Sequence, residues 1–344
     1  MSTHATSTTF PTPEPPLTAA PNCLQLCHPA GHRDETLVAI DTILSRVLSR
    51  SLSKATCARW FFAPEATPDV SDAAAERLVL FVDPRWLDAR DVAAELAREG
   101  YVGATPCAMP TSAWLPRCGG AGGLQLFYDC ARTTHVLAID IVRSCLAGEA
   151  DKSGVVFDLM LANAFVTRRD IKIGFLAFRS HADGFILRTD DPIKTRALFD
   201  QRYRARRGML QEHLPELLQM LATPGDSFAQ RWVAALTPIQ QRARVLAQNG
   251  RITYPGSTQS GAFAETLLSA SPFYLAMAQN ERFRTHMSEN KDFIALRFLV
   301  NALYDFIDRL GTSACERYLI GHLVASTVED AYQLDSAEMV RNFS

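Results

Sequence analysis

From Leu124 onward the apolar residues recur almost entirely at helical spacing, while β-type runs are confined to the stretch before it. This asymmetry selects an α+β fold in which a small N-terminal sheet with helices packs on a mostly helical C-terminal body. The period predicts helices over 124–147, 153–167, 191–221, 226–248, 261–279, 290–310 and 313–332. Gly311 follows the stripe Phe293, Leu296, Val300, Leu303, Tyr304 and Ile307 as a C-terminal stop should. Upstream, strands are expected at Ala58–Phe62, Leu78–Val82 and Tyr101–Cys107, with a helix between the last two that ends at Gly100. A first helix starts from Asp34 as N-cap and runs to about Ser53. Residues 1–33, rich in Thr and Pro, read as a disordered tail. The remainder, 34–335, reads as a single domain, with the sheet in 34–120 and the helical body in 121–335.

Composition bounds the partners. The 344 residues are 47% apolar and 21% charged with a formal charge of −2, so no global basic field draws the chain onto nucleic acid or an anionic membrane. No apolar run approaches the roughly 20 residues that cross a bilayer. The 8 cysteines form no C-x-x-C pair, and reduced thiols are expected. The N-terminal segment lacks the features of a secretory signal or a transit peptide, so the expected location is the cytoplasm.

Cofactor motifs are absent: there is no H-E-x-x-H, no P-loop and no G-x-S-x-G. The run Gly119-Gly120-Ala121-Gly122-Gly123 lacks the spacing that cradles a pyrophosphate and reads as a flexible loop leading into the next helix. The histidines show no metal-ligand spacing, so neither a metal nor another cofactor is expected. His181, Tyr128, Asp129, Tyr274, Gln279 and His322 lie within or beside apolar patterns, where both catalytic acids and bases and ordinary hydrogen-bonded core groups are found. Arg202, Arg204, Arg206 and Arg207 gather on one helix, either as a dock for an acidic peptide or as a solvated face.

The order of segments says more. Trp60-Phe61-Phe62, then Arg77-Leu78-Val79-Leu80-Phe81-Val82, then Arg117-Cys118-Gly119-Gly120, then Leu126-Phe127-Tyr128-Asp129-Cys130 resembles the C-terminal domain of lantibiotic dehydratases, the thiopeptide-type bacteriocin biosynthesis domain. Met277-Ala278-Gln279-Asn280 is similar to that family's H-M-x-x-N-R segment. Fused to a dehydratase, the domain eliminates glutamate from glutamylated Ser or Thr, which needs cations for the carboxylate and a base for the α-proton. This sequence departs from that equipment. Leu78, Val79 and Leu80 stand on the arginine-bearing strand, Trp114 stands for a glutamate and Ala276 for the histidine, while Arg117 is kept.

The domain also occurs free-standing, as the pyridine synthases of thiopeptide assembly. The pattern Arg297, Asn301, Tyr304, Leu310-Gly311, Arg317 and His322 resembles that group. The resemblance implies a formal [4+2] cycloaddition between two dehydroalanines of a modified precursor peptide, followed by loss of water and leader. Those steps need only polar side chains that move protons, and the ones expected to do so are Tyr274 and Gln279 on the helix equivalent to the histidine segment, Arg117 and Asp129 opposite, and His181 as a proton shuttle. Arg202, Arg204, Arg206 and Arg207 would hold the leader. Two other readings stay open: a split glutamate-elimination subunit, and a non-catalytic leader-binding module.

Overall fold

The structure, a computed structural model, describes residues 22–29, 31–51, 60–64, 75–82, 88–101, 104–107, 111–168, 170–254 and 270–344. Its sheet is antiparallel throughout, with four strands in the order β2-β3-β1-β4: β1 Asn22–Pro29, β2 Trp60–Pro64, β3 Ala75–Val82 and β4 Thr105–Cys107. Leu24 lies opposite Leu80, Phe62 opposite Leu80 on the other side, and Cys23 opposite Cys107. Trp60 to Ala63 and Leu78 to Val82 are buried without alternation, as strands covered on both faces must be.

β1 corrects the expectation that the tail runs to residue 33. Its run Cys23-Leu24-Gln25-Leu26 places Leu24 and Leu26 in the core, and its backbone is paired on both edges. The Pro- and Thr-rich composition of the segment before it had masked this short apolar run. Residues 1–21 lie outside the described residues, as do 58–59 of the expected first strand and 102–103 of the third.

Helix α1 spans Arg33–Ser51, so Asp34 sits inside its first turn rather than at the cap. Its carboxylate instead takes the Lys152 ammonium at 2.7 Å. Then follow α2 Ala89–Arg98, α3 Thr111–Cys118, α4 Ala121–Thr133, α5 His135–Leu146, α6 Lys152–Arg168, α7 Ile171–Gly174, α8 Leu176–Ile186, α9 Pro192–Leu221 and α10 Phe228–Gln248. The chain ends with α11 Pro272–Gln279, α12 Glu281–Glu289, α13 Lys291–Arg309, α14 Ala314–Tyr332 and α15 Ser336–Arg341. Gly311, at φ +78°, ends α13 as its position predicts.

The helix expected over 124–147 is two helices, broken at Thr134. Arg309 on α13, buried, donates to the Ala131 carbonyl at 3.1 Å and to Thr134 Oγ1 at 3.0 Å. A cation thus satisfies the orphan carbonyl end of α4, with Asp305 at 3.1 Å balancing its charge. The glycine run is likewise a tight packing turn rather than a flexible loop. A Cβ on Gly122 would come within 2.0 Å of the Arg251 carbonyl and one on Gly123 within 1.8 Å of the Cys118 carbonyl.

An aromatic ladder ties sheet to helical body. Phe61 stacks on Phe81 at 4.6 Å, Phe81 meets Trp114 at 4.9 Å, Trp114 meets Phe127 at 5.7 Å, and Phe127 meets Phe298 of α13 edge-on at 6.3 Å. Trp114, which stands where the resembling family carries a glutamate, is a core aromatic here.

Candidate active site

Helix α8 has two chemically different faces. Residues 179, 182, 183 and 186 turn into the core, while Ala177, Ser180, His181 and Gly184 follow the other helical row and, with Arg188 just past the helix end, line a cavity of about 540 Å³. That volume suits an organic ligand or a folded peptide segment. The rest of the wall is apolar and adaptable: Phe273, Tyr274 and Met277 of α11, Phe283 and Met287 of α12, and Phe293 and Leu296 of α13. Met339 and Phe343, near the end of the chain, close it.

The core face of α8 holds its position through a buried polar network. Arg179 donates to Ser326 Oγ at 3.0 Å and lies 3.1 Å from His322 Nδ1, while His322 Nε2 lies 3.0 Å from Asp200. Asp183 takes Arg196 at 2.8 Å and accepts from Ser271 Oγ at 2.5 Å. Ser271 is also the N-cap of α11, accepting the Tyr274 backbone N–H at 3.1 Å ahead of Pro272 at the first helical position. One serine therefore fixes α11 against α8. The helix that carries Tyr274 begins at Pro272, and residues 261–269 of the expected helix lie outside the described residues.

The result is a close approach of Tyr274 to α8. A Cβ on Gly184 would fall 2.6 Å from the Tyr274 hydroxyl, so only glycine admits the phenol at that point. Burial raises the Tyr274 pKa, against the opposing pull of a hydrogen bond with Ser180 and the charge of Arg188, so the hydroxyl stays protonated and able to donate. His181 Nδ1 lies 2.9 Å from the Tyr304 hydroxyl. Burial, with Arg297, Arg317 and Arg188 nearby, pushes the His181 pKa down to about 4, so the ring is neutral at physiological pH. Arg317 lies over the Tyr304 ring at 4.9 Å and pairs with Asp308.

Of the residues expected in the site, the cavity brings together His181 and Tyr274. Gln279 is exposed at the last position of α11 and outside the lining. Asp129, buried on α4, takes Arg242 at 2.6 Å and Gln125 at 3.2 Å, an ion pair that joins α4 to α10. Arg117 lies in the last turn of α3 with its side chain 48% exposed and 3.7 Å from Asp308. Its carbonyl accepts from Tyr254 at 2.9 Å and from Asn301 at 2.8 Å, and Arg297 lies over that Tyr254 ring at 4.6 Å. Arg117 thus supports the cavity wall from outside. Tyr128 belongs to the aromatic ladder and His322 to the network beneath α8. Arg188, Ser180 and Gly184 fall in a stretch that the periodicity left without an element, because the four-residue α7 interrupts the pattern.

Arg202, Arg204, Arg206 and Arg207 are all exposed on α9. At about 100° per residue they flank the buried Tyr203, Arg202 and Arg206 on one side and Arg204 and Arg207 on the other. Arg207 pairs with Asp330 at 2.7 Å. Among the described residues no set of three or more His, Cys, Asp or Glu is placed to hold a metal, and no helix is long and apolar enough to cross a membrane.

Solved structures share this architecture, two of them as follows. One, described as the crystal structure of TsrL, superposes with a TM-score of 0.74 over 93% of this chain and 97% of its own, at 21% identity. The other is TbtD, a pyridine synthase from thiomuracin biosynthesis, with a TM-score of 0.63 over 92% of this chain and 100% of its own, at 19% identity. The chain has a pyridine-synthase-like fold. No family model matches the sequence, and no curated protein matches it. The pyridine-synthase-like fold spans both the sheet and the helical body, so the cavity lies within the shared architecture.

Proposed function

We propose that this protein is a pyridine synthase of thiopeptide-type peptide biosynthesis. The observation that carries the proposal is a largely apolar cavity bearing a protonated phenol and a neutral imidazole, set in a fold shared with TbtD over 92% of the chain. The substrate is a precursor peptide whose core carries two dehydroalanines. One amide tautomerises to its imidic acid, giving an azadiene; the second alkene adds across it, and two carbon–carbon bonds close a six-membered ring. Loss of water and then of the leader, which departs as a carboxamide when its C–N bond breaks, gives the pyridine. These two eliminations balance the reaction without an oxidant.

The chemistry asks for positioning and proton transfer. Holding two alkenes in attack geometry is worth up to about 10 kcal/mol, and the cavity walls supply the shape. Tyr274 donates to the oxygen of the tautomerising amide, and His181 carries protons between the ring and the departing groups. Arg117 buttresses the wall and Asp129 holds α4 in place. Arg202, Arg204, Arg206 and Arg207 dock the leader.

The test is mass spectrometry of the purified chain with a leader-bearing peptide containing two dehydroalanines. A macrocycle short of one water and of the leader, together with a free leader carboxamide, supports the proposal. Clean loss of glutamate from a glutamylated peptide, with the dehydrated peptide unchanged, would replace it with glutamate elimination. Leader binding with no mass change in either peptide would make the chain an escort module.

A further inference from the structure

No carboxylate is part of the cavity lining, which carries Arg188 and Arg297 beside the neutral His181. Arg297 is the more telling of the two. It is partly buried on α13 between Leu296 and Val300, and its guanidinium rests on the Tyr254 ring at 4.6 Å. Among the described residues it makes no ion pair and no hydrogen bond, in contrast to Arg179, Arg309 and Arg317, each of which meets a carboxylate. A guanidinium stays charged at every physiological pH, and a desolvated one without an anion or a polarised oxygen is costly. Tyr254 is itself anchored, donating to the Arg117 carbonyl at 2.9 Å, so the stacked arginine is preorganised rather than free to swing into solvent.

We propose that Arg297 is the oxygen-binding cation of this cavity, receiving an anionic or strongly polarised oxygen at the end of an apolar body. Under the pyridine-synthase reading, on which this identification of the oxygen rests, that atom is the amide oxygen that gains negative charge as the imidic acid forms. Arg297 then acts as a catalytic residue beside Tyr274, one supplying charge and the other a proton. The same chemistry would also accept a free carboxylate, and the two sources are separable.

The experiment has a binding arm and a turnover arm. In the first, calorimetry compares 3-phenylpropionate with 3-phenylpropan-1-ol, which shares its body and lacks its charge. Wild type is expected to bind the carboxylate about 10-fold or more tightly than the alcohol, as a charge-assisted contact should, and Arg297→Met to lose that preference. In the second, Arg297→Met is expected to lower turnover of the dehydrated peptide about 100-fold, the usual cost of one oxyanion donor, with leader affinity and thermal stability held. Free guanidinium should restore part of the activity of Arg297→Ala, a rescue that a purely structural arginine would not give. Turnover of Arg297→Met within threefold of wild type overturns the catalytic role. Should wild type not turn the peptide over at all, the function proposed above fails, and the binding arm alone decides the inference: equal affinity for carboxylate and alcohol, or for wild type and variant, overturns it. If Arg297→Met fails to fold, Arg297→Gln, which is polar but carries no charge, takes its place in both arms.

Discussion

At the scale of single residues, the cavity depends on one contact that the sequence does not advertise. Gly184 sits inside the last turn of α8, where glycine ordinarily costs helix stability, and the Tyr274 hydroxyl occupies the space of its missing Cβ. Gly184→Ala is therefore expected to raise intrinsic helix stability by up to about 1 kcal/mol while displacing the phenol. The rate should fall about 100-fold, the scale set by a misplacement of order 1 Å. Tyr274→Phe should lose a similar factor through the missing donor. The pair is told apart by denaturant unfolding together with single-turnover rates: Tyr274→Phe changes only the rate, and Gly184→Ala changes both. If Tyr274→Phe turns over within about threefold of wild type, the phenol is only a packing group. His181 carries a pH signature. Its folded pKa of about 4 lies below the ordinary histidine value, so its contribution to stability is complete above about pH 6.5 and is lost as pH falls from there towards 4. The difference in melting temperature between wild type and His181→Asn should shrink or reverse across that window, and a difference that stays constant would count against a depressed pKa. Tyr274 and His181 were legible because polar groups stand out in apolar stripes. Arg297 was legible only as part of a family-like pattern, since its neighbours Leu296 and Val300 read as ordinary core spacing.

At the scale of elements, periodicity located helices and missed their joints. The expected helices over 153–167, 191–221, 226–248, 290–310 and 313–332 meet observed ones within about two residues at each boundary, because each opens on a capping side chain, Asp151, Asp191, Ser227, Asn290 and Ser313 in turn. The joint at Thr134 was invisible, since its cause is Arg309, which lies far along the chain and whose charge is settled only by the tertiary fold. Strand β1 was hidden by the composition of its neighbourhood. α8 was lost because α7 is shorter than any pattern window. The α4–α5 joint makes a prediction of its own. Arg309→Leu would strand the buried Asp305 carboxylate and uncap α4, at a cost of roughly 3–5 kcal/mol. Urea unfolding measures it, and the double variant Arg309→Leu with Asp305→Leu should recover much of the loss, since a pair of apolar groups leaves no buried charge. A loss below about 1 kcal/mol for the single variant would show that the joint does not depend on the arginine.

At the scale of the whole molecule, the site and the proposed leader dock are built on different helices. The cavity is walled by α8, α11, α12 and α13, while the exposed arginines ride on α9. If α9 docks an acidic leader, affinity should fall with salt, because exposed charges are screened over about 8 Å at physiological ionic strength. Titration of a labelled leader against Arg202→Glu with Arg206→Glu, and separately against Arg204→Glu with Arg207→Glu, identifies the flank that binds. No effect from either pair would make the cluster a solvated face. The two long walls of the cavity also differ in kind. On α8 the side chains are held from behind by the Arg179 and Asp183 network, which leaves them little freedom. Opposite stand Met277, Met287 and Met339, unbranched thioethers that change rotamer at small cost. The cavity therefore pairs a rigidly held wall on α8 with adaptable thioethers that can fit different guests. An engineer wishing to widen the range of guests accepted should randomise the methionines and leave α8, Tyr274 and Arg297 alone, because the adaptable side chains can change shape without moving the polar groups that share their space.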